Sequence, residues 1–546
     1  MAQSMKRILP IVILTIIAFF FAKPFFQEGY FSTHDGEWAI VRLAEMQREI
    51  KDLQIPPRWA DYLNHGFGYP LFSFTYPFPY YVGTIFRFFH VGLVDSVKII
   101  FVLSIFLSGL FMFVLGREIV GDWGGFISAI FYMIAPYRLV NLYVRGSIGE
   151  SLGFALFPLL LLLSLRYILK PTPLRLALAS LSLGLFILNH NITALIFFPF
   201  WLIFLYVIVF AYYEDVKRYT IRYFPPLIIL GLGLSAYFFI PALLEKKYII
   251  LSQIKLADIS SNFIKLPEYF ISPWNYGIKP SYQLGWAHIL GALVGLVSIF
   301  ISNKLYKKKY MPFAMFTIVG IGIPLFLAHS SSGFFWRFNP LAWIDFPWRF
   351  MMILTFFLAF STMFLAIHKI TKIIAIVLIV IVIVLSLKFA NPADHFNKGD
   401  DYYATNDATT TSMDELMPVW VLDKPKNRYQ SKVSAENRIV TVSNVNYNSH
   451  LIEFDVSSLT DTTVKVNTIY FPGWQFFVDR KKAVINYAQP DGLINVAIPS
   501  GNHKIVGKFT ETQVRFISNM ITLASLGMIF GLVGYSIIDK LMVKKA

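Results

Sequence analysis

The chain of 546 residues contains no cysteine, which excludes a disulfide framework, thiol catalysis and cysteine metal sites. Charge is scarce: Asp, Glu, Lys and Arg make up 15% of the residues, against 56% hydrophobic ones. A soluble domain this apolar would have too little polar surface to cover its core, so the composition is that of an integral membrane protein. Phosphate-cradling glycine loops are also lacking, with neither a Walker pattern nor a GxGxxG after a strand. This argues against a cytosolic nucleotide as the energy source and for an activated, lipid-linked substrate. The net charge of +16 raises the question of nucleic acid as a partner. Lys and Arg, however, sit in short clusters between apolar runs, as the positive-inside rule expects, and the reading is no nucleic acid.

Apolar segments of spanning length occur near 8–26, 96–115, 123–140, 149–168, 174–189, 192–212, 223–243, 284–302, 311–328, 348–367, 371–390 and 516–538. Met5-Lys6-Arg7 precedes the first, which lacks a small-residue cleavage pattern and reads as an uncleaved helix. A thirteenth candidate, 76–91, is shorter, is broken by Pro77 and Pro79, and ends with Arg87 and His90. Counting it as a span would put most later basic clusters outside, whereas laying it along the surface keeps them inside. The expected fold is therefore a polytopic α-helical membrane protein of about 12 spans, with surface helices in a first external loop and a small external all-β domain. The segments are a transmembrane domain over 1–390 (first external loop 27–95), a β domain over 391–514, and a final helix with a basic tail over 515–546. Both termini are cytoplasmic in this solution, in the plasma membrane. Loops 27–95, 141–150, 244–283 and 329–347 share the outer face with the β domain.

Segment 391–514 carries alternating runs at 438–442, 450–456, 463–467, 474–479 and 494–498. Turn residues at Pro472-Gly473, Asp491-Gly492 and Ser500-Gly501-Asn502 fall among them. A period of two with frequent turns reads as a small antiparallel sandwich. It has no cluster of carboxylates or histidines, and a lid or docking role suits it better than independent catalysis.

The candidate chemistry lies on the outer face. Asp35 and Glu37, in Thr33-His34-Asp35-Gly36-Glu37-Trp38, suit a general base at an acceptor hydroxyl. With Glu150 they could instead hold a divalent cation, magnesium or manganese, against a phosphate leaving group. A second reading has Asp35 capping the amphipathic helix that begins near Glu37; the two are compatible. Arg138 and Arg145 read either as snorkelling residues or as ligands. Glu150 opens a span, where a carboxylate is costly without a partner or a job. His190 joins two spans and reads as a hydrogen-bonded structural residue or as a catalyst. Arg349, beside Trp348, either snorkels or grips a lipid phosphate. Arg58 and Trp59, with Tyr76 and Tyr80, are candidates for lining a substrate groove.

His34-Asp35-Gly36-Glu37-Trp38, Pro56-Pro57-Arg58-Trp59, Gly66-Phe67-Gly68-Tyr69-Pro70, Tyr76-Pro77-Phe78-Pro79-Tyr80-Tyr81, Ala135-Pro136-Tyr137-Arg138, Tyr143-Val144-Arg145-Gly146, Asn189-His190-Asn191 and Phe346-Pro347-Trp348-Arg349 together resemble the 6-pyruvoyl-tetrahydropterin synthase-related membrane proteins. The wider architecture resembles the GT-C glycosyltransferases, and Tyr470-Phe471-Pro472-Gly473-Trp474 is similar to the C-terminal region of YfhO-type proteins. Those resemblances imply a catalytic carboxylate in the first external loop, Asp35, and a second acidic position, Glu150, although here Glu150 stands alone rather than in an acidic pair. They also imply an inverting transferase with a polyprenyl-phosphate sugar donor, membrane lipid as surroundings, and a cell-envelope glycan, lipid or protein as acceptor. The rival readings are a lipid or polysaccharide transporter and a non-catalytic envelope-assembly scaffold.

Overall fold

The computed structural model describes residues 2–277, 279–435 and 440–543. Among them, eight helices are long and apolar enough to cross a bilayer: Leu93–Ile119, Ile148–Leu169, Asn191–Tyr212, Val216–Tyr248, Lys304–Ala328, Pro347–Ala366, Lys369–Phe389 and Gln513–Met542. Asp122–Met133 and Pro136–Arg145 form a further candidate, bent by 45°. The remaining apolar runs are the shorter helices Ile8–Phe21, Pro173–Asn189 and Trp286–Phe300. Every apolar run expected from the sequence is therefore helical, as a bilayer requires of backbone that can find no water to bond.

The bend has a local cause. Pro136 has no N–H to continue the ladder and pushes the residue before it out of the helical region; Ala135 is extended at φ −60°, ψ 144°. The second piece ends in a π-helical turn, Asn141–Arg145, closed by Gly146 in the left-handed conformation. Polar residues thus reach the end of the bent pair on irregular backbone.

The first long loop carries the helix Gly36–Lys51, whose buried side includes Ile40, Leu43 and Met46 at helical spacing. The 76–91 segment forms the helix Phe78–Phe88. Its 11 residues reach only about 16 Å, too short for a hydrocarbon core of about 30 Å. It packs on the first helix through Gly83, where a Cβ would stand 2.7 Å from Leu43 Cδ1.

The β region holds two antiparallel sheets. One orders Val433–Ala435, Thr462–Ile469, Leu493–Ile498 and Ile485–Asn486; the other orders Thr441–Tyr447, Leu451–Ser458, Gly501–Phe509, Trp474–Val478 and Lys481–Ala483. Ile452, Phe454 and Val456 on one sheet and Val464 and Val466 on the other point into a shared apolar core, the alternation that the sequence carries. The expected 438–442 run is a strand from Thr441 onward; Arg438 and Ile439 lie outside the described residues. Gly501–Phe509, which the turn signals broke up, is the central strand of its sheet.

This region and the first loop lie on the same side of the helices. Tyr30–Phe31 pairs antiparallel with His395–Phe396, the backbone N–H of Ile469 donates to Phe67 O, and Lys432 Nζ donates to Gly66 O at 3.0 Å.

Candidate functional site

The Asp35 loop is fixed by backbone. The N–H of His34 donates to Val144 O at 3.0 Å and that of Asp35 to Arg145 O at 2.8 Å. The approach is close enough that a Cβ on Gly146, itself at φ +60°, would stand 2.4 Å from Thr33 Oγ1 and 2.8 Å from Gly36 N. Only glycine fits there.

Asp35 occupies the N-cap position of Gly36–Lys51, but its side chain makes no capping bond. The capping reading therefore fails: Thr33 Oγ1 accepts the Gly36 N–H at 3.0 Å instead. Among the described residues nothing bonds to the Asp35 carboxylate. Arg42, Tyr76, Tyr80 and Arg145 lie within electrostatic reach of it.

Arg145 and Glu150 are both buried and form an ion pair. Arg145 Nη1 also donates to Asn141 Oδ1 at 2.7 Å, and its guanidinium lies 4.6 Å over the Trp348 ring. The partner that Glu150 needs at that depth is thus Arg145, supplied from the far side of Gly146. Glu150 Oε1 remains buried without a partner. Its charge also reaches His190 and Arg349.

Arg349 Nη1 donates to Ile344 O at 2.6 Å, while its buried Nε has no partner. His190 caps the helix Asn191–Tyr212, its Nδ1 accepting the Thr193 N–H at 3.1 Å. Its ring packs on Tyr76 at 4.7 Å between centroids, and Tyr76 stacks on Tyr80 at 6.0 Å. The structural reading of His190 is therefore realised, beside the aromatic wall. Asn189 Nδ2 donates to Gly149 O at 2.7 Å and ties the two helix starts together. His34 Nε2 lies 3.0 Å from Gly277 O.

Four expected residues are elsewhere. Glu37 turns away from Asp35, pairing with Lys398 at 2.7 Å and accepting the Tyr403 hydroxyl at 3.2 Å. Arg58 is buried against Glu511, Asn519 and Tyr237 O. Trp59, fully buried, packs among Phe471, Trp474 and Phe509, so it lines no groove. Arg138 is buried on Ser104 and the Phe154 ring. Asp35, Glu37 and Glu150 do not form a ligand set: among the described residues no group of three or more His, Asp or Glu could hold a metal ion.

The sequence reading missed Arg42, which donates to Thr410 and lies within electrostatic reach of Asp35. Its signal was available, since position 42 is two helical turns beyond 35 and falls on the same face. It also missed Gly146 as the residue that admits the Asp35 loop, and Asn141 as a ligand of Arg145.

Helices, irregular turn and β region together define a polytopic membrane protein with a polar cluster where the first loop meets the helix ends. The chain belongs to the family described as the 6-pyruvoyl-tetrahydropterin synthase related domain, a membrane protein, which matches residues 72–392. A relative in Lactococcus lactis subsp. cremoris (strain MG1363), an uncharacterized protein, is 25% identical over 327 residues, covering 57% of this chain and 52% of its own length. Among solved structures, the fold is similar to the arabinofuranosyltransferase AftD from Mycobacteria, with a TM-score of 0.46 and 15% identity over 70% of this chain and 26% of that one. It is also similar to the archaeal oligosaccharyltransferase AglB from Archaeoglobus fulgidus, with a TM-score of 0.47 and 14% identity over 79% of this chain and 62% of that one. The chain thus spans about half the length of the lactococcal relative and about a quarter of AftD's.

Proposed function

We propose that this protein is an inverting membrane glycosyltransferase that uses a polyprenyl-phosphate sugar on the outer face of the cytoplasmic membrane. One observation carries the reading. Asp35 is held by its backbone against Arg145, while its carboxylate, alone among the three candidate acids, has no partner among the described residues. A carboxylate left unpaired beside arginines and tyrosines is available to take a proton.

In the reaction, Asp35 accepts the proton of an acceptor hydroxyl as that oxygen bonds to C1 of the sugar. The bond from C1 to the lipid phosphate breaks on the opposite side, its electron pair leaving with the phosphate. A single displacement inverts the anomeric centre. Arg349, whose buried Nε lacks a partner, stabilises the negative charge that develops on the leaving phosphate; fixed charges aimed at such a group usually lower the barrier more than any other single effect. Arg145 is held by Glu150 and acts through position and field. Tyr76 and Tyr80 form the wall along the acceptor. The acceptor is a cell-envelope glycan, lipid or protein. The experiment is sugar transfer from a polyprenyl-phosphate donor by Asp35→Asn and Arg349→Ala in reconstituted membranes; full activity in both overturns the proposal.

A further inference from the structure

A crevice of about 190 Å³ lies between the start of the helix Trp286–Phe300 and the end of the helix Lys369–Phe389. Shortly after the second helix, His395–Phe396 pairs with Tyr30–Phe31 of the first loop. The rim of the crevice is apolar, with Ile271, Trp286 and Leu385 exposed. Both helices run on from it with further exposed apolar residues, Leu290 and Leu293 on one and Val377 and Val380 on the other. Such faces belong against lipid, so the crevice opens where a bilayer meets the protein.

Its floor holds a polar atom left open. His288 is 3% exposed, and its Nε2 lies 2.9 Å from Phe131 O. A carbonyl oxygen only accepts, so Nε2 carries the proton and Nδ1 of the neutral ring presents a lone pair. Among the described residues nothing bonds to Nδ1. It faces the crevice because Gly285 has no side chain: a Cβ there would stand 2.7 Å from Nδ1 and 3.2 Å from Pro136 Cγ, and all three residues line the same space. Ser386, also in the lining, is already committed to Ile134 O at 2.8 Å. The charge is positive: among the described lining residues Lys388 alone carries a fixed charge, and no carboxylate joins it. Its ammonium lies 4.7 Å over the Phe389 ring.

These features select a ligand. An apolar chain suits the rim, an anion answers Lys388, and a hydrogen-bond donor answers Nδ1. An ammonium headgroup would be buried there without a counter-ion, at high cost, whereas a hydroxyl needs only the one acceptor. We infer that the crevice binds one anionic glycerophospholipid whose headgroup carries a free hydroxyl, of the phosphatidylglycerol type. The hydroxyl donates to His288 Nδ1, the phosphate sits on the Lys388 ammonium, and an acyl chain runs over Leu385 and Trp286. No residue of the Asp35 cluster lines the crevice, and the site is independent of the transfer reaction.

The test is native mass spectrometry of the full chain in detergent, loaded with phosphatidylglycerol, phosphatidylmethanol or phosphatidylcholine of matched acyl chains. Phosphatidylmethanol keeps the charge and lacks the hydroxyl; phosphatidylcholine is zwitterionic and lacks it too. The expected result is one phosphatidylglycerol bound roughly five- to tenfold more tightly than phosphatidylmethanol, the worth of one hydrogen bond, with phosphatidylcholine weakest. His288→Phe should erase the difference between the two anionic lipids, whereas Lys388→Gln should weaken both alike, roughly fivefold. A histidine that only supports the fold would leave the ratio of the two lipids unchanged. The wild-type comparison needs no variant, so it decides even where His288→Phe fails to fold. Equal binding of the two anionic lipids by the wild-type chain overturns the inference. So does a ratio unchanged in folded His288→Phe, binding unchanged in Lys388→Gln, or displacement of phosphatidylglycerol by an equimolar polyprenyl phosphate, which would give the crevice to an isoprenoid chain.

Discussion

The backbone N–H of Asp35 donates to the carbonyl of Arg145 across 2.8 Å, joining the first loop to the end of the bent helix pair. Because the bond is made by backbone, the carboxylate of Asp35 stays available while its position is fixed. The guanidinium of Arg145, meanwhile, is committed to Glu150 and Asn141.

Asp35 and Glu37 are two residues apart yet face different partners, and their conservative variants should separate. Asp35→Asn should lower sugar transfer by about 10²–10⁴-fold, the usual contribution of a general base, with the thermal midpoint unchanged. Glu37→Gln should keep transfer within a few-fold and lower the thermal midpoint slightly, since it weakens contacts to Lys398 and Tyr403. Equal losses of activity in the two variants would contradict the assignment of Asp35.

Gly146→Ala tests the seat of the loop. A Cβ there meets Thr33 Oγ1 and the backbone nitrogen of Gly36, and the left-handed backbone costs a non-glycine residue about 1–3 kcal/mol. The expected outcome is a lower thermal midpoint together with at least a roughly tenfold loss of transfer, because small displacements of a positioned base are felt strongly. Wild-type activity in this variant would show that the loop's seat does not matter.

Glu150→Ala leaves Arg145 buried without its counter-ion and should destabilise the protein by about 3–5 kcal/mol. The double variant Arg145→Met/Glu150→Met removes both charges and should recover most of that stability without recovering transfer. Denaturation in detergent, read by tryptophan fluorescence, measures the first part. A double variant as unstable as Glu150→Ala would place the destabilisation outside the pair.

The contact between the first loop and the β region should depend on pH through Glu45. Burial pushes its carboxyl from 4.5 up to about 8, against the opposing pull of Arg48, with Asp61 adding to the rise. Burial also pushes the Lys432 amine from 10.5 down to about 7. A raised carboxyl keeps its proton in the folded state, so stability is full below about 4.5 and is lost as pH rises to about 8. Lys432 works the other way, adding stability only as pH rises from about 7 to 10.5. Between pH 5 and 7 the thermal midpoint should therefore fall, Glu45 acting together with Glu49 and Asp61, whose carboxyls burial also raises. Glu45→Gln should flatten that fall, its advantage over wild type growing with pH. Parallel curves for the two proteins across this window would refute the role of Glu45.

Much of the fold was legible in the residues themselves. The apolar runs and the alternating strands are properties of consecutive residues, and within the described residues they became helices and strands as their periods require. The Asp35 loop, Glu150 and Arg349 were visible as polar groups at the ends of apolar runs. The partners were not. Glu37 looked equivalent to Asp35 until Lys398, some 360 residues away in sequence, claimed it. Arg58 and Trp59 looked like groove residues, yet both are buried where the first loop meets the β region and the final helix. The turn residues around Gly501 concealed a strand that pairs with one neighbour along 501–508 and with the other along 505–509.

Membrane class, helices and strand pattern therefore follow from the order of residues alone, because hydropathy and periodicity act locally and a bilayer admits few alternatives. Which charges pair, which carboxylate is left unpaired and which glycine admits the loop were settled by the folded chain. The Arg145–Glu150 pair is local, but the capture of Glu37 by Lys398 and the seating of Asp35 on Arg145 depend on segments more than a hundred residues apart meeting within hydrogen-bond distance, and no local period encodes that.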